Sequence, residues 1–351
     1  MKPIRVAFIG CGKIAQVRHI PEFAAHDGAE IAGYYNRTPE RAKDMAKKYG
    51  GAVYSSVEEL LADDGVDAVV ISVANRLHAA YTLAALSAGK HVLCEKPMAL
   101  TLKDCRAMVE KAKETGKHLL IGHNQRLTPA HRKARALVEE GAIGKVLSFR
   151  TTFGHGGPEG WSIRPGKDTW FFDPENAGMG VMADLGIHKT DLLQYLTGET
   201  VTEVTAQLHT LDKTGPEGDL IAVDDNAFCI YRLSGGAVGT LTVSWTFYGP
   251  EDNSTILYGT EGMIRIYDDP QVSLRLQKKS GEVVDYPLET IQTNENQTAS
   301  GVAEAFLQEI SSGEPSVLNA EEALSAMAAV FTALESSRQG KTLPIITLGG
   351  V

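Results

Sequence analysis

The sequence is short of cysteine, has no long hydrophobic run and carries no block of charge of one sign. Its four cysteines are scattered and form no CxxC pair, which argues against a disulfide framework and a zinc ribbon. No apolar stretch reaches the roughly 20 residues that a membrane span needs, and none resembles the apolar region of a secretory leader. The net charge is -10 without a basic stripe, which argues against nucleic-acid binding. We expect a cytoplasmic protein that binds small molecules, with neither a membrane nor a nucleic acid as partner.

The length and the hydrophobic pattern predict two domains. A chain of 351 residues exceeds the usual size of a single hydrophobic core. Up to about residue 124, short apolar strands alternate with helical segments, beginning with Ile4–Ile9 and a helix at 14–25 and ending with a strand at 118–121. Strict alternation of this kind predicts a parallel sheet with right-handed crossovers.

The second part of the chain has a different pattern. A segment at 146–152 alternates in strand fashion, a loop rich in glycine, proline and tryptophan covers 154–176, and a helix is expected at 182–196. Seven further strand-like segments follow between 201 and 287. Such a run indicates a mostly antiparallel sheet with one face solvated or used for association. Two helices close the chain, so this part is predicted to be α+β.

The loop after the first strand carries a phosphate-binding pattern. Residues 10–15, GCGKIA, fit G-x-G-x-x-G/A between a strand and a helix. In this pattern the first glycine permits the tight turn and the second lets the backbone approach a pyrophosphate, while the helix N-terminus offers N–H groups to the phosphates. The alternative is an ordinary glycine turn. We predict that a dinucleotide contacts Gly10, Gly12, Lys13 and Ile14.

These patterns together define the predicted architecture. We expect an α/β protein with an N-terminal Rossmann dinucleotide-binding domain at 1–124. A C-terminal α+β domain at 125–351, with a large, mostly antiparallel open sheet, is expected to bind the substrate and to support oligomerisation.

The end of the second strand bears on the choice between NAD and NADP. An acidic residue there accepts hydrogen bonds from the ribose in NAD-binding domains, whereas arginine accommodates the 2′-phosphate of NADP. Here the strand runs into Asn36, Arg37 and Thr38 without a carboxylate, and Arg41 follows one helical turn later. We expect these four residues to bind the cofactor, which is NAD or NADP with a slight preference for NADP. The alternative is that Thr38 only caps the next helix and Arg37 is solvated.

Four motifs carry a resemblance to a known family. Residues 88–100, AGKHVLCEKPMAL, resemble the A-G-K-H-V-x-x-E-K-P segment of the Gfo/Idh/MocA oxidoreductases. The segment 73–78, VANRLH, is similar to the family's T-P-N-x-x-H, with Ala74 in place of proline. The segments 122–129 and 178–188 resemble G-x-N-x-R-x-x-P and G-G-G-x-L-x-D-x-G-x-H. The matched motifs add Asn75, His78, Glu95, Lys96, Asn124 and Arg126 to the predicted cofactor-binding residues.

The resemblance also implies a catalytic set of Lys96, Asp184 and His188. Asp184 and His188 are four residues apart on the predicted helix and so share a face, as does Asp191. We assign His188 as general acid/base and Lys96 as the group bonded to the reacting oxygen, and these two roles could be exchanged. Asp184 would orient one of them or bind a substrate hydroxyl. A metal site on Asp184, His188 and Asp191 is the alternative, but no HExxH or Cys/His cluster completes it, so we predict no metal.

The loop at 154–176 supplies the clues to the substrate. It combines tryptophan with hydrogen-bonding and charged side chains, as a sugar-binding cleft requires, because sugars have apolar faces and many hydroxyls. The alternative is a loop ordered by its own aromatic residues, at a subunit contact. The predicted substrate-binding residues are Lys96, Arg126, His155, Trp161, Arg164, Trp170, Asp184 and His188.

The main hypothesis is hydride transfer between NAD(P) and a secondary hydroxyl of a sugar, sugar derivative or polyol. A second hypothesis is redox-neutral chemistry with tightly bound NAD, namely glycoside cleavage or epimerisation through a transient keto-sugar. A third is a non-catalytic sensor that binds a dinucleotide, against which the joint presence of Lys96, Asp184 and His188 argues. The resemblance implies a homodimer or homotetramer.

Overall fold

The computed structural model describes residues 2–289 and 297–345. Internal contacts divide the chain into two compact units. The first comprises Met1–Asn124 and Gln292–Leu324, and the second comprises Gln125–Ile291 and Ser325–Val351. A domain boundary at residue 124 stays a proposal. Residues 297–324, which the prediction assigned to the C-terminal domain, belong to the first unit.

The described residues form strands in both units. The first unit holds β1 (Ile4–Ile9), β2 (Ala29–Tyr35), β3 (Ala52–Val53), β4 (Ala68–Ile71), β5 (His91–Cys94) and β6 (Leu119–Ile121). The second holds β7 (Val146–Gly154), β8 (Val201–His209), β9 (Asn226–Leu233), β10 (Val238–Ser244), β11 (Thr255–Gly259), β12 (Gly262–Asp269), β13 (Val272–Lys278), β14 (Val283–Tyr286) and β15 (Leu343–Pro344).

The first unit is built on a parallel sheet with strand order β3-β2-β1-β4-β5-β6. Because β2 and β3 lie on one side of β1 and β4 lies on the other, the order reverses next to β1. Open α/β sheets bind their ligands at this reversal, beyond the carboxyl ends of the strands. The glycine loop follows β1 directly, so it lies at the reversal.

The second unit is built on a nine-stranded sheet with order β14-β13-β12-β11-β7-β10-β9-β8-β15. The pair β7–β10 is parallel, and the other described pairs are antiparallel. Burial alternates along β9, where Phe228 and Ile230 are about half exposed. The predicted fold class is therefore confirmed, including a mostly antiparallel sheet with an exposed face.

The helices of the described chain agree with most of the predicted segments. They are α1 (Ile20–Ala24), α2 (Pro39–Tyr49), α3 (Val57–Ala62), α4 (His78–Ser87), α5 (Leu102–Thr115), α6 (Pro129–Glu139), α7 (Pro174–Ala177), α8 (Ile187–Thr197), α9 (Val302–Ser312) and α10 (Ala320–Gln339). None of them, within the described ranges, is both long and apolar enough to cross a membrane.

The sequence-based prediction did not include three helices, α3, α6 and the short α7, although the start signals of α3 and α6 are present in the sequence. Ser56 caps α3 by accepting a hydrogen bond from the Glu59 N–H, which is the N-terminal half of a capping box. Thr128 precedes α6, and Pro129 occupies its first position, where the absent N–H of proline costs nothing. Both helices are local features that the strand–helix alternation alone did not reveal.

The helix predicted at 14–25 is present, but its first part is not regular α-helix. Ala15–His19 forms a π-helical turn, and α1 follows it. The physical reason is Pro21, which has no N–H to donate to the carbonyl four residues earlier. The chain widens to a π turn immediately before this proline.

The segment that returns to the first unit is fixed there at several points. The ring of Phe306 in α9 packs edge to face against Phe23, with ring centroids 6.2 Å apart. The Glu22 carboxylate accepts hydrogen bonds from the N–H groups of Ser300 and Ala303. Glu22 thereby caps a helix whose own N-cap residue, Gly301, has no side chain.

Candidate active site

The glycine loop has the geometry that a dinucleotide requires. Gly10 has φ +102°, and a Cβ at this position would lie 2.2 Å from the Ser72 carbonyl oxygen, so only glycine fits. At Gly12 the nearest atom to an added Cβ is 3.9 Å away, which leaves room beside its backbone. The helix that follows begins at Ala15, and a helix N-terminus offers N–H groups and a positive dipole end to an anion. The loop therefore fits a pyrophosphate.

Asn36 connects the glycine loop to the end of β2. Its Oδ1 accepts a hydrogen bond from the Cys11 N–H at 2.9 Å, and its Nδ2 donates to the Thr38 carbonyl at 2.8 Å. Arg37 is exposed. Thr38 is the residue before α2 but makes no side-chain capping bond. The side chain of Asn36 thus orders both loops, and cofactor binding by Asn36, Arg37, Thr38 and Arg41 stays a prediction.

Glu95 lies in a buried cluster of polar side chains just after β5. Its Oε1 is 2.7 Å from His19 Nε2 and 3.2 Å from the Arg18 guanidinium. Arg18 also donates through Nε to Gln297 at 3.0 Å. Burial raises the pKa of Glu95, but the His19 hydrogen bond and the Arg18 charge outweigh burial and lower the pKa to about 2. Glu95 is therefore a permanent anion.

Lys96 occupies a turn that its neighbours hold in place. The Lys96 N–H donates to Glu95 Oε2 at 3.2 Å, and the bond from Lys96 to Pro97 is cis. His78 Nδ1 lies 2.7 Å from the Pro97 carbonyl oxygen, and His78 Nε2 lies 3.2 Å from that of Val73. Burial lowers the pKa of His78. His78 and Glu95 thus support the Lys96 turn, and their contact with cofactor stays a prediction, as it does for the buried Asn75.

In the second unit, the helix predicted at 182–196 is present, but its first turn is not regular α-helix. Met182–Gly186 is a π-helical turn, closed by a hydrogen bond from the Ile187 N–H to the Met182 carbonyl, and α8 continues from it. The side chain of Met182 lies where a Cβ of residue 186 would be, with its Sδ 2.4 Å from that point. Glycine at 186 makes this packing possible. Asp184 lies in the π turn and His188 in α8, a combination often found at functional sites.

The carboxylate of Asp184 is bonded to a buried tryptophan. Trp245, in the segment that follows β10, donates its Nε1–H to Asp184 Oδ2 at 3.1 Å. Trp245 is fully buried, and Asp184 is 6% exposed. The indole N–H can only donate, so it stabilises the carboxylate of Asp184.

The backbone that leads into the π turn is fixed by Asp224. Its two carboxylate oxygens accept hydrogen bonds from the N–H groups of Gly180 and Met182, each at 2.8 Å. A Cβ at Gly180 would lie 1.8 Å from the Asp224 carbonyl oxygen, so this approach also needs glycine. Burial raises the pKa of Asp224 in spite of these two bonds.

Lys189 anchors α8 to the sheet directly after His188. Its Nζ donates to the Asn253 carbonyl at 2.9 Å and to Thr255 Oγ1 at 3.3 Å. The Phe153 ring lies 5.8 Å from this Nζ and 6.1 Å from the His188 ring. Burial lowers the pKa of Lys189 to about 7.

The lowered pKa predicts a pH-dependent stability that a Lys189→Met variant will lack. Between about pH 7 and the ordinary lysine value of 10.5 the unfolded chain binds more protons at this site than the folded chain. Stability contributed by Lys189 therefore rises with pH over that window and is constant below it. We expect the difference in unfolding free energy, wild type minus variant, to increase by on the order of 2 kcal/mol from pH 7 to pH 9. Urea unfolding at each pH measures it, and parallel curves for the two proteins would contradict it.

Arg126 and Asp191 form a buried, two-bond ion pair. Arg126 donates through Nε and a terminal nitrogen to the two Asp191 oxygens, both at 2.7 Å. Each residue is 1% exposed. Asp191 was predicted to share one helix face with Asp184 and His188. The structure shows in addition that its carboxylate binds Arg126, a partner that the sequence did not reveal. Cofactor and substrate binding by Arg126 stay predictions, as does cofactor binding by Asn124.

The loop at 154–176 holds aromatic rings next to a histidine. The His155 ring meets Trp161 edge to face, with centroids 6.1 Å apart, and its Nδ1 accepts the Gly157 N–H at 3.0 Å. Trp161 Nε1 is shielded from solvent and has no hydrogen-bond partner among the described residues. Trp170 stacks on Phe171 at 4.0 Å. Arg164 is exposed, so the loop offers both apolar and charged groups.

Sequence reasoning missed several residues that shape these sites. Trp245, Asp224 and Lys189 carried no motif, and their partners are distant in the chain. Arg18 and His19 form a basic pair two residues before Pro21, and this pair is visible in the sequence, but nothing there connects it to Glu95. For a metal, residues 2–289 and 297–345 contain no group of three or more His, Cys, Asp or Glu side chains that could hold an ion.

The fold and the glycine loop define the class of protein, a two-domain enzyme whose Rossmann unit binds a dinucleotide. The family model described as "Oxidoreductase family, NAD-binding Rossmann fold" matches residues 4–123, and the GFO/IDH/MocA C-terminal domain matches residues 131–265. The chain belongs to the Gfo/Idh/MocA family of NAD-binding oxidoreductases. The predicted family and enzyme class are therefore confirmed.

Individual relatives cover most of the chain. The 1,5-anhydro-D-fructose reductase of Ensifer adhaerens is 34% identical over 261 residues, which are 74% of this chain and 74% of the relative. The myo-inositol 2-dehydrogenase of Thermotoga maritima is 26% identical over 345 residues, 97% of this chain and 98% of the relative. The solved complex of levoglucosan dehydrogenase with NADH and L-sorbose has a TM-score of 0.87 and 26% identity, and the match covers 99% of this chain and 100% of that one.

Proposed function

We propose that this oxidoreductase transfers a hydride between NAD(P) and a secondary hydroxyl of a sugar, sugar derivative or polyol. The main support for this proposal is that two loops follow the carboxyl ends of nearby strands in the parallel sheet. The glycine loop follows β1, the Lys96 turn follows β5, and only β4 lies between these strands. With adjacent strands about 4.8 Å apart, the two loops begin roughly 10 Å from each other. This spacing supports the proposal that Lys96 reaches a cofactor bound by the glycine loop.

The cofactor would be held by the glycine loop and by the end of β2. Its nicotinamide ring supplies the chemistry of the reaction, because it takes up or gives back the hydride. The protein provides position and charge. Gly10 and Gly12 would let the backbone approach the pyrophosphate, and the exposed Arg37 would bind a 2′-phosphate.

Lys96, Asp184 and His188 are the proposed catalytic residues. Lys96 donates a hydrogen bond from Nζ to the reacting oxygen, and its backbone is fixed by Glu95. His188 takes the hydroxyl proton during oxidation and returns it during reduction. Asp184, fixed by Trp245, orients the histidine or a substrate hydroxyl. Lys96 and His188 could exchange roles, and the pH dependence of each variant would distinguish them.

A carbohydrate substrate is favoured by the loop at 154–176. The partnerless Nε1–H of Trp161 is a donor that a sugar hydroxyl would satisfy. The neighbouring aromatic rings suit the apolar face of a sugar. Relatives named for anhydrofructose, inositol and levoglucosan point to the same class of ligand. We therefore propose His155, Trp161, Arg164 and Trp170 as substrate-binding residues, with Lys96, Arg126, Asp184 and His188.

The test is the absorbance of reduced nicotinamide with purified protein, NAD or NADP, and a panel of levoglucosan, 1,5-anhydro-D-fructose, myo-inositol and D-glucose. The reductive direction is followed with NADH and NADPH. A change with one cofactor and a subset of the panel supports the proposal. Bound cofactor that returns unchanged, together with new sugar products by chromatography, would replace it by the redox-neutral reaction. Absence of turnover in both directions, with no new products, would contradict it.

The preference for NADP rests on Arg37 and makes its own prediction. Arg37→Ala should weaken NADPH binding about ten- to a hundred-fold, because a hydrogen-bonded charge pair with the 2′-phosphate is lost. NADH binding should change by less than about three-fold. Fluorescence titration of both cofactors measures this, with Lys43→Ala as control because Lys43 is exposed on α2. Equal losses for NADPH and NADH would remove the basis for the preference.

The exposed face of the second sheet supports association into a homodimer or homotetramer. Phe228 and Ile230 are 44% and 50% exposed on β9, and covering such side chains is a driving force for oligomerisation. Light scattering of the purified protein gives the number of subunits.

We propose that the protein is cytoplasmic.

A further inference from the structure

We propose that Trp245 is a positioning residue that fixes the carboxylate of Asp184 for the reaction. The inference rests on the proposed function, because it assumes that Asp184 takes part in the chemistry. It adds a residue that no sequence motif and no family match assigned. The direct observation is the hydrogen bond from Trp245 Nε1 to Asp184 Oδ2, at 3.1 Å, between residues 61 positions apart.

Burial strengthens this hydrogen bond, and the packing of the Trp245 ring fixes its orientation. Both residues are buried, so the carboxylate is largely shielded from solvent, and an electrostatic interaction is larger there than at the surface. The Trp245 ring is itself held in contact with Phe172, with centroids 5.8 Å apart. A rigid ring with a single donor holds the carboxylate oxygen in one place, which a flexible donor such as lysine would not do.

The backbone around Trp245 also holds the segment that carries Asp184. The Trp245 N–H donates to the Asp225 carbonyl at 2.8 Å. The preceding residue, Asp224, binds the N–H groups of Gly180 and Met182 at the start of the π turn. The backbone before Asp184 and the carboxylate of Asp184 are therefore both held through the short connection from 224 to 225. This arrangement matches what positioning requires, since an error of about 1 Å in a catalytic group can cost a hundred-fold in rate.

The first test is a double-mutant cycle between Trp245→Phe and Asp184→Ala. Phenylalanine keeps most of the ring and removes the N–H. In the wild-type background we expect Trp245→Phe to lower kcat about ten- to a hundred-fold with KM changed by less than about three-fold. In the Asp184→Ala background the same change should alter the residual kcat by less than about two-fold. Kinetics are measured with the panel sugar that gives the highest turnover.

Tyr231→Phe is the matched control for a loss of stability in α8 that does not involve Asp184. Tyr231 is fully buried, and its hydroxyl lies 3.1 Å from Thr190 Oγ1 on the same helix. This variant also loses one buried hydrogen bond to α8, but away from Asp184. We expect it to lower the unfolding midpoint and to leave kcat within about two-fold of wild type.

A second variant tests the same hydrogen bond if Trp245→Phe does not fold. Benzothienylalanine, incorporated at position 245 alone, replaces the indole N–H by sulfur with little change in shape, and the same fall in kcat is expected. An NMR measurement does not depend on turnover. The three tryptophans give three indole N–H signals, and the signal lost in Trp245→Phe should move upfield in Asp184→Ala.

The outcomes separate this inference from the proposed function. Wild-type kcat in both Trp245 variants, with activity lost in Asp184→Ala, would overturn the role of Trp245 and leave the proposed function intact. Equal losses from Trp245→Phe in both backgrounds, or an equal loss in Tyr231→Phe, would show that Trp245 acts through the fold and would also overturn it. Full activity of Asp184→Ala would overturn the catalytic assignment of Asp184 and this inference with it, as would absence of turnover by the wild type.

Discussion

Replacing Lys96 with alanine is expected to lower turnover by about 10²–10³-fold, while the dissociation constant of the dinucleotide changes by less than about three-fold. The reason is that alanine removes the Nζ donor to the reacting oxygen and leaves the backbone of the turn in place. The turn itself is held by contacts to the backbone, from Glu95 to the residue 96 N–H and from His78 to the Pro97 carbonyl. Steady-state kinetics and cofactor titration of the same preparation measure both effects.

Two further measurements make the Lys96 prediction specific. Lys103→Ala removes an exposed lysine in the first turn of α5 and should leave turnover unchanged. Added methylamine should restore part of the activity of Lys96→Ala, because it supplies an ammonium donor in the space that the side chain vacates. Wild-type turnover in Lys96→Ala would remove Lys96 from the catalytic set, whatever the other residues do.

Arg126→Ala is expected to lower the free energy of unfolding by about 3–5 kcal/mol. It would leave the Asp191 carboxylate buried and without the two hydrogen bonds that Arg126 now donates. The penalty comes from keeping the carboxylate buried after these two bonds are lost, more than from the net strength of the pair. Urea unfolding at neutral pH measures it, and Asp191→Ala should give a loss of similar size.

The chain contains a matched control for this ion pair. Arg275 and Asp285 form the same two-bond geometry, at 2.6 and 2.8 Å, on strands β13 and β14, where both side chains are accessible to solvent. Water replaces the lost partner there, so Arg275→Ala should change stability far less than Arg126→Ala. Comparable losses in the two variants would contradict the view that burial decides the cost.

Features that depend on neighbouring residues could be predicted from the sequence. The glycine loop is recognisable because the turn after β1, the close approach and the helix start follow within six residues. The Lys96 turn is recognisable from a strand followed directly by a motif. The alternation of strands and helices fixes a parallel sheet, since crossover connections leave few other topologies.

Features that depend on distant partners could not be predicted. Trp245 lies 61 positions from Asp184, and Arg126 lies 65 positions from Asp191, so no local pattern links them. The π turns before Pro21 and at Gly186 arise from the packing of particular side chains, whereas hydrophobic periodicity describes only a regular helix. The contact of Asn36 could not be predicted for the same reason. Its side chain accepts a hydrogen bond from the Cys11 N–H, and only the fold brings these two loops together.

The return of α9 to the first unit has a consequence for how the protein is made. A ribosome completes residues 1–124 early, when Phe23 still lacks Phe306 and Glu22 still lacks the N–H groups that it caps. At about 5–20 residues per second, the roughly 200 residues from 124 to 324 need on the order of 10–40 s. During this interval the nascent first unit exposes the surface that α9 later covers. The Rossmann unit therefore reaches its final packing only after the residues up to 324 have been synthesised.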